Sequence, residues 1–393
     1  VITQNAELVD AARHLVPRLI ERAERTDRER CIPAETVAEM QAAGLFRALQ
    51  PKRWGGMEAG LGTFYDVLMT LAEGDMSTAW IYGVLGVAPW VVALLDDRAA
   101  ADVWSADSST LVALSLAPAG QAQAVEGGVR ISGRWRYASG CAHADWVFLG
   151  AIVNPPADGA GPRAGWHVML VPRADVRIED TWFTFGLKGT GSNDIVVDDA
   201  FVPHYRMRNM LENVACTGPG QAVNGAALYR LPFGQVFGGG VAYGAIGALQ
   251  GMLDEFLAFA HARVRSGGRT TVLDPDAQQV VADAENAIDE LTAIVRRNVA
   301  NLTAYAERGA VPPGAERLKY KFQMATVCER CRGLAARILQ AAGTSAIASQ
   351  YRFGRTLADI TSARQHITNQ HEMHARHWGA HLLGEASPPD LMQ

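Results

Sequence analysis

Apolar residues recur at helical spacing over the first hundred positions: Leu8, Ala12, Leu15 and Leu19 form one stripe, and Val37, Met40 and Leu45 another. Pro33 opens the second of these helices, and Gly44 stands where it should stop. Asp75, followed by Met76-Ser77-Thr78, predicts a cap for the apolar run Ala79 to Leu95. From about Thr110 to Phe201 the period changes to two. Val129, Ile131 and Trp135 fall out of phase with Arg130, Ser132 and Arg136, and Gly127-Gly128 punctuates a hairpin. Further strands are predicted at 146–153, 166–171, 176–185 and 194–197, with Pro155, Pro156, Gly159 and Gly161 marking an exposed loop. Helical periodicity then returns over 238–266, 275–308, 314–342 and 355–382, and four long helices predict a bundle.

Helices, a compact β unit and a helical bundle follow one another without alternating. This predicts an α+β fold, mainly α, with units at 1–109, 110–210 and 211–393, and argues against a doubly wound parallel sheet.

Composition narrows the function classes. The 393 residues are 49% hydrophobic and 20% charged, enough to bury a large core. A net charge of −5 leaves no electrostatic footprint for nucleic acid, and no Lys/Arg block suggests an anionic membrane. No uninterrupted apolar stretch reaches the roughly 18–20 residues of a membrane span, and the start lacks the order of a signal peptide, so a cytoplasmic location is expected. Five cysteines, an odd number without framework spacing, read as free thiols in a reducing compartment.

Candidate chemistry is sparse. His371-Glu372-Met373-His374 lacks the spacing that puts two imidazoles one helical turn apart with a glutamate beside them, so no metal site is expected. Cys328 and Cys331 form a lone pair inside a predicted helix and read as core. Neither a dinucleotide fingerprint nor a Walker loop is present, and Gly238-Gly239-Gly240 reads as a breaker before a helix. More informative is Gly186-Leu187-Lys188-Gly189-Thr190-Gly191-Ser192-Asn193-Asp194, a loop whose glycines allow close approach to a planar or phosphorylated ligand. Arg263 and Arg265 could meet a diphosphate.

Taken in order, Gln50-Pro51-Lys52-Arg53-Trp54-Gly55-Gly56, Ser77-Thr78-Ala79-Trp80, Ala117-Pro118, Ser139-Gly140-Cys141-Ala142-His143-Ala144, the loop from Gly186 to Asn193, Phe201-Val202-Pro203 and Pro388-Pro389-Asp390-Leu391-Met392 resemble the acyl-CoA dehydrogenase superfamily. Within it they resemble the class D flavin monooxygenases, the oxygenase components of p-hydroxyphenylacetate, steroid-phenol, polyketide and indole hydroxylases and of amino-sugar nitrososynthases. The resemblance implies an N-terminal helical domain, a central β-barrel and a C-terminal four-helix bundle, assembled as a homotetramer, a dimer of dimers. It implies reduced flavin, FADH2 or FMNH2, delivered by a separate NAD(P)H-dependent reductase, with O2 as co-substrate and a flavin 4a-hydroperoxide as the oxygenating species. It also implies that Trp80, Ser115 and Ser139 lie near the isoalloxazine, with Ser139 near N5. Gly191 and Ser192 would border the cofactor, and Arg263 and Arg265 would reach its phosphates.

The same resemblance bears on the reaction. A dehydrogenase needs a glutamate base at about Ile367, and an aliphatic side chain cannot abstract a proton. His366 stands where monooxygenases carry a histidine, to orient substrate or exchange a proton. Phenol hydroxylases of the group carry a histidine at the position of Ala88 and a serine near Leu114, which here are apolar. An indole-like or polycyclic aromatic is therefore favoured over a simple phenol, with Trp90, Phe233 and Phe237 as pocket walls. The alternatives are N-oxygenation of an amine or amino sugar and an acyl-CoA dehydrogenase-like flavoprotein.

Overall fold

The computed structural model describes residues 2–153, 165–262 and 271–385. The predicted Pro/Gly loop at 155–161, Arg263 and Arg265, and the terminal segment from Pro388 lie outside them. The first helices are α1 (Ile2–Glu29), α2 (Ala34–Ala42), α3 (Leu61–Gly74), α4 (Met76–Val92) and α5 (Asp97–Trp104). Leu8, Ala12, Leu15 and Leu19 of α1 face the core, as their spacing requires. Helix α4 lies at the centre with every residue buried. Its cap is Asp75, whose carboxylate accepts from the Thr78 backbone N–H and hydroxyl, each at 2.7 Å.

Seven strands follow: β1 (Val112–Val125), β2 (Gly128–Ala138), β3 (Trp146–Val153), β4 (Trp166–Pro172), β5 (Arg177–Glu179), β6 (Asn193–Pro203) and β7 (Met207–Asn209). They pair in the order β5-β6-β2-β1-β3-β4-β7, with β1 and β3 parallel. Strands β4 and β6 touch although four places apart in that order, so the sheet is strongly curled. The curl has a local cause: β1 shifts register against β3 between Ser115 and Gly120, where the Trp135 indole occupies the space a side chain on Gly120 would need.

The strand predicted over 176–185 shrinks to three residues. Beyond it the Thr181 and Trp182 N–H groups donate to the Asn193 side-chain oxygen at 3.0 and 3.1 Å, so a side chain, not a neighbouring strand, satisfies that backbone.

Helices α6 (Leu211–Ala215), α7 (Phe233–Ala242), α8 (Gly244–Ala262), α9 (Pro275–Glu307), α10 (Gly314–Ala342), α11 (Phe353–Arg364) and α12 (His371–Leu382) complete the chain. The glycine run 238–240 lies inside α7, not before a helix. Gly240 meets Gly83 of α4 with no room for a Cβ, and Gly239 abuts the Tyr65 hydroxyl, so close packing outweighs the helix cost of glycine. The segment Phe233–Ala262 is long and apolar enough to cross a membrane, yet 94% of its most apolar window is buried within the fold. The helix predicted over 355–382 is broken after Arg364. There the buried Asn369 side chain donates to the Ala363 and Val241 carbonyls, each at 2.9 Å, closing the end of α11 and tying the break to α7. His366 sits in this break.

Candidate active site

Two turns bring hydroxyl groups from different parts of the sheet face to face. Tyr137 and Gly140 flank Ser139 with φ of +68° and +70°, and Leu187 and Gly191 on the facing loop have +51° and +50°. Tyr137 and Leu187 are costly residues for the left-handed region, and such strain persists only where the surroundings impose it. The turns are clipped together by Gly140 N–H donating to the Thr190 carbonyl at 2.9 Å. Below the loop, Leu187 N–H donates to the Asp359 carboxyl at 2.6 Å. Burial, reinforced by the neighbouring Asp75, raises the Asp359 pKa well above its ordinary value and so favours the neutral carboxyl.

The hydroxyls form a chain with a fixed direction. Thr190 donates to the Leu187 carbonyl at 2.8 Å, so its oxygen must accept from Ser192 at 2.7 Å. Ser192, its proton committed, accepts from Ser139 at 2.7 Å, and Ser139 accepts from the Trp80 indole N–H at 3.1 Å. Polarity therefore runs from Trp80 through Ser139, Ser192 and Thr190 to a backbone carbonyl. Ser139 has spent its proton and keeps a lone pair for an outside donor.

Opposite stands an aromatic wall. His366 lies edge-on to Trp80, ring centres 5.7 Å apart, and 6.0 Å from Phe237. Phe237 stacks on Phe233 at 5.5 Å, and Phe233 meets Trp90 at 6.1 Å. His366 Nδ1 meets the Thr368 hydroxyl at 2.8 Å and faces the Thr368 backbone N–H at 3.3 Å, so Thr368 fixes the orientation of the ring. Burial of the ring, with a smaller contribution from the Lys321 charge, lowers its pKa to about 4. Trp80 and Phe237 retain 9% and 8% exposure, whereas Trp90 has none, so the opening lies at the Trp80 end.

The fold thus gathers Trp80, Ser139, Ser192, His366, Phe237, Phe233 and Trp90 into one contiguous group. Ser115 is buried, but its hydroxyl donates to the Arg136 carbonyl at 2.8 Å and does not join the chain. Ala88 lies two helical turns beyond Trp80 on the same face of α4, fully buried. Leu114 precedes Ser115 on β1 and points to the other face of the sheet. Trp90 donates its indole N–H to the Leu228 carbonyl at 2.9 Å, which anchors the far end of the wall. A separate small void lined by Asp75, Arg352, Arg355 and Asp359 has a volume of about 10 Å³, room for a water at most.

Residues 3–95 match the acyl-CoA dehydrogenase N-terminal domain, and residues 240–371 match an acyl-CoA dehydrogenase C-terminal domain. The flavin-dependent monooxygenase oxygenase subunit HsaA of Rhodococcus jostii is 33% identical over 91% of this chain and 93% of its own length. A solved 3-HSA hydroxylase from Rhodococcus superposes with a TM-score of 0.93 at 32% identity, over 98% of this chain and 99% of that one. A pigment production hydroxylase of Rhodococcus is 38% identical over 64% of each chain.

The chain is a flavin-dependent monooxygenase, an oxygenase component on the acyl-CoA dehydrogenase fold.

Reduced flavin and O2 are the cofactor and co-substrate of such an oxygenase. The residues present fit the group. Reduced flavin carries a proton at N5, and a hydroxyl whose own proton is committed elsewhere is an acceptor for it. The indole of Trp80 offers a flat face, and the left-handed turns at Gly140 and Gly191, packed against Ile81 and Leu85 and against the Arg30 carbonyl, set the hydroxyls beside it. The position a dehydrogenase would give its base is held by Ile367, which is exposed in the break beside His366.

Three participants escaped the sequence reading. Thr190, inside the glycine-rich loop, ends the hydroxyl chain, and a run of small hydroxyls was its only signal. Thr368 orients the His366 ring and lies two residues from it. Lys321 is 1% exposed on the buried stripe of α10 with Leu318, Met324 and Cys328, and a lysine at that phase of an apolar helix was the available clue. Among the described residues no three His, Cys, Asp or Glu side chains are gathered as metal ligands would be.

Proposed function

We propose that this monooxygenase hydroxylates an indole-like or polycyclic aromatic substrate held between the flavin and the wall of Phe233, Phe237 and Trp90. The single supporting observation is the pairing of a one-way hydroxyl chain with a continuous aromatic stack across from it. The flavin, when bound, supplies two electrons for O2, so that one oxygen atom goes to the substrate and the other to water. Ser139, its own proton committed to Ser192, would accept a hydrogen bond from the reduced ring system and so help to hold it. Trp80 fixes Ser139 from behind. His366, neutral at physiological pH, orients substrate or exchanges a proton without bringing a charge into the pocket. The aromatic wall excludes water from the reacting face.

One relative points the same way: an indole-3-acetate monooxygenase of Pseudomonas putida is 32% identical over 67% of this chain; a resorcinol hydroxylase, an FADH2-dependent oxygenase component, is 32% identical over 72% and supports aromatic hydroxylation more generally. A separate flavin reductase follows from this component organisation. We further propose a tetrameric, cytoplasmic enzyme in which Arg263 and Arg265 hold the flavin phosphates. All five cysteines are free thiols, which suits a reducing compartment.

The test is anaerobic mixing of the protein with FADH2 or FMNH2, followed by O2 in a stopped-flow cell. The expected result is an absorbance transient distinct from reduced and oxidised flavin, shortened by indoles or polycyclic aromatics with formation of hydroxylated product. Direct appearance of oxidised flavin and peroxide with every candidate aromatic would sink the proposal.

A further inference from the structure

We infer that Asp359 is a positioning residue for the flavin reaction: from α11 it holds Leu187 in a left-handed conformation and thereby sets the direction of the hydroxyl chain that makes Ser139 an acceptor. The inference rests on the reading of Ser139 as the group that meets the flavin, and adds the residue that fixes its role.

Leu187 is held from two sides. Its N–H donates to the Asp359 carboxyl at 2.6 Å. Its carbonyl accepts from the Thr190 hydroxyl at 2.8 Å and from the Trp182 indole at 2.9 Å. Between the N–H and the carbonyl lie only the φ and ψ of this residue, and its φ is +51°, a conformation a leucine does not adopt unaided. The loop lies directly on α11 at this point, since a Cβ on Gly186 would stand 2.2 Å from the Ala358 carbonyl. Asp359 follows Ala358, is 2% exposed, and lines the small void together with Asp75, Arg352 and Arg355. Asp75 caps α4, the helix that carries Trp80. The two carboxyls beside that void therefore serve opposite ends of one chain: Asp75 the helix of its first donor, Asp359 the residue of its last acceptor.

This gives Asp359 control over protons it never touches. Without the carboxyl, the Leu187 N–H loses its acceptor and Leu187 can relax toward negative φ, which turns its carbonyl away from Thr190. Thr190 is then free to donate to Ser192, and Ser192 to Ser139. A hydroxyl has one proton and two lone pairs. In the native order Ser139 spends its proton on Ser192, one lone pair on Trp80, and keeps the other for an outside donor. In the reversed order both lone pairs are taken, by Trp80 and Ser192, and the proton points outward. Ser139 would then meet the N5 proton of reduced flavin as a second donor. Asparagine at 359 keeps an oxygen for the Leu187 N–H, so it should preserve the native order.

The test is a double-mutant cycle between Asp359 and Ser139, read from the lifetime of the oxygen transient. Asp359→Ala should shorten that lifetime about tenfold in the wild-type background, and by less than about twofold where Ser139→Ala is already present. Asp359→Asn should stay within about twofold of the wild type. A second arm needs no cofactor: in the flavin-free protein, amide exchange at 138–141, across the bond from Gly140 to Thr190, should quicken about tenfold in Asp359→Ala and stay unchanged in Asp359→Asn. Equal shortening with and without Ser139 overturns the proposal, because a residue that merely steadies the fold adds its effect independently. So does a folded Asp359→Ala that matches the wild type in either arm. Should Asp359→Ala fail to fold, Asp359→Glu, which displaces the acceptor by one methylene, takes its place in both arms with the same expectations. An unaltered lifetime in Ser139→Ala alone would instead remove Ser139 from the flavin and the premise with it, an outcome separate from the behaviour of Asp359.

Discussion

The two walls of the site are built on different principles. The wall from the sheet and the loop 186–192 is polar, strained and directional: four residues at positive φ hold three hydroxyls in an order that permits one arrangement of protons. The wall from α4, α7 and the break at His366 is aromatic, and its one polar ring is the imidazole of His366. The first suits a ligand whose edge is always the same, a cofactor. The second suits one recognised by shape, a substrate. One fold can therefore keep its flavin chemistry constant while the aromatic side changes with the ring it must accept.

That division is open to attack. The largest effect is expected from Ser139→Ala, which removes the acceptor between Trp80 and Ser192. The lifetime of the oxygen transient should fall on the order of 10²-fold, with substrate affinity little changed. An unaltered lifetime in stopped flow would mean that the directional wall does not face the flavin.

Next in size is a pH effect on the aromatic wall. The folded His366 pKa of about 4 lies below the ordinary value of 6.5, so as pH falls the unfolded chain takes up this proton first. The histidine's contribution to stability is complete above about pH 6.5 and is lost between there and about 4, at most about 3 kcal/mol. Urea unfolding of the wild type and His366→Asn across that range isolates it, since other titrating groups are common to both. Parallel curves would show that the imidazole is not held neutral by the fold.

Asp359 sharpens the comparison from below the loop. Because burial favours its neutral carboxyl, Asp359→Asn should cost less than about 1 kcal/mol. Asp359→Ala strands the Leu187 N–H and should cost about 1–3 kcal/mol, with faster hydrogen exchange at 187–191. Equal losses in the two variants would mean that the carboxyl is charged. The smallest effect belongs to Phe233→Leu, which trims the substrate wall far from the hydroxyls. Aromatic affinity should weaken by about three- to tenfold, the value of one ring contact, while the oxygen transient without substrate keeps its lifetime.

The sequence disclosed most of the frame because helical and strand periods report which face is buried, and α1, α4 and the bundle helices bury theirs cleanly. It misled where local polar groups took over the backbone. Val176 and Ile178 alternate as a strand would, but Asn193 captures the amides that follow. The apolar pattern after Phe353 runs through the break because the residue that ends the helix, Asn369, does so by reaching two distant carbonyls. Ser139, Trp80 and His366 were placed by resemblance, and the loop around Ser192 by its glycines. The order of protons among the hydroxyls could not be read in advance, because it depends on a single carbonyl at Leu187. Lys321 was legible as a misfit on an apolar stripe, though its closeness to His366 depends on the meeting of α7 and α10.

The hydroxyl chain has one more consequence. A proton wire must be able to hand on at its far end what it receives, and this one ends at the amide carbonyl of Leu187, which has nothing to pass. The sheet side of the site is thus a proton insulator. Protons consumed when oxygen is reduced to water, or shed by the substrate, would then have the His366 side or the exposed edge of Trp80 as their route.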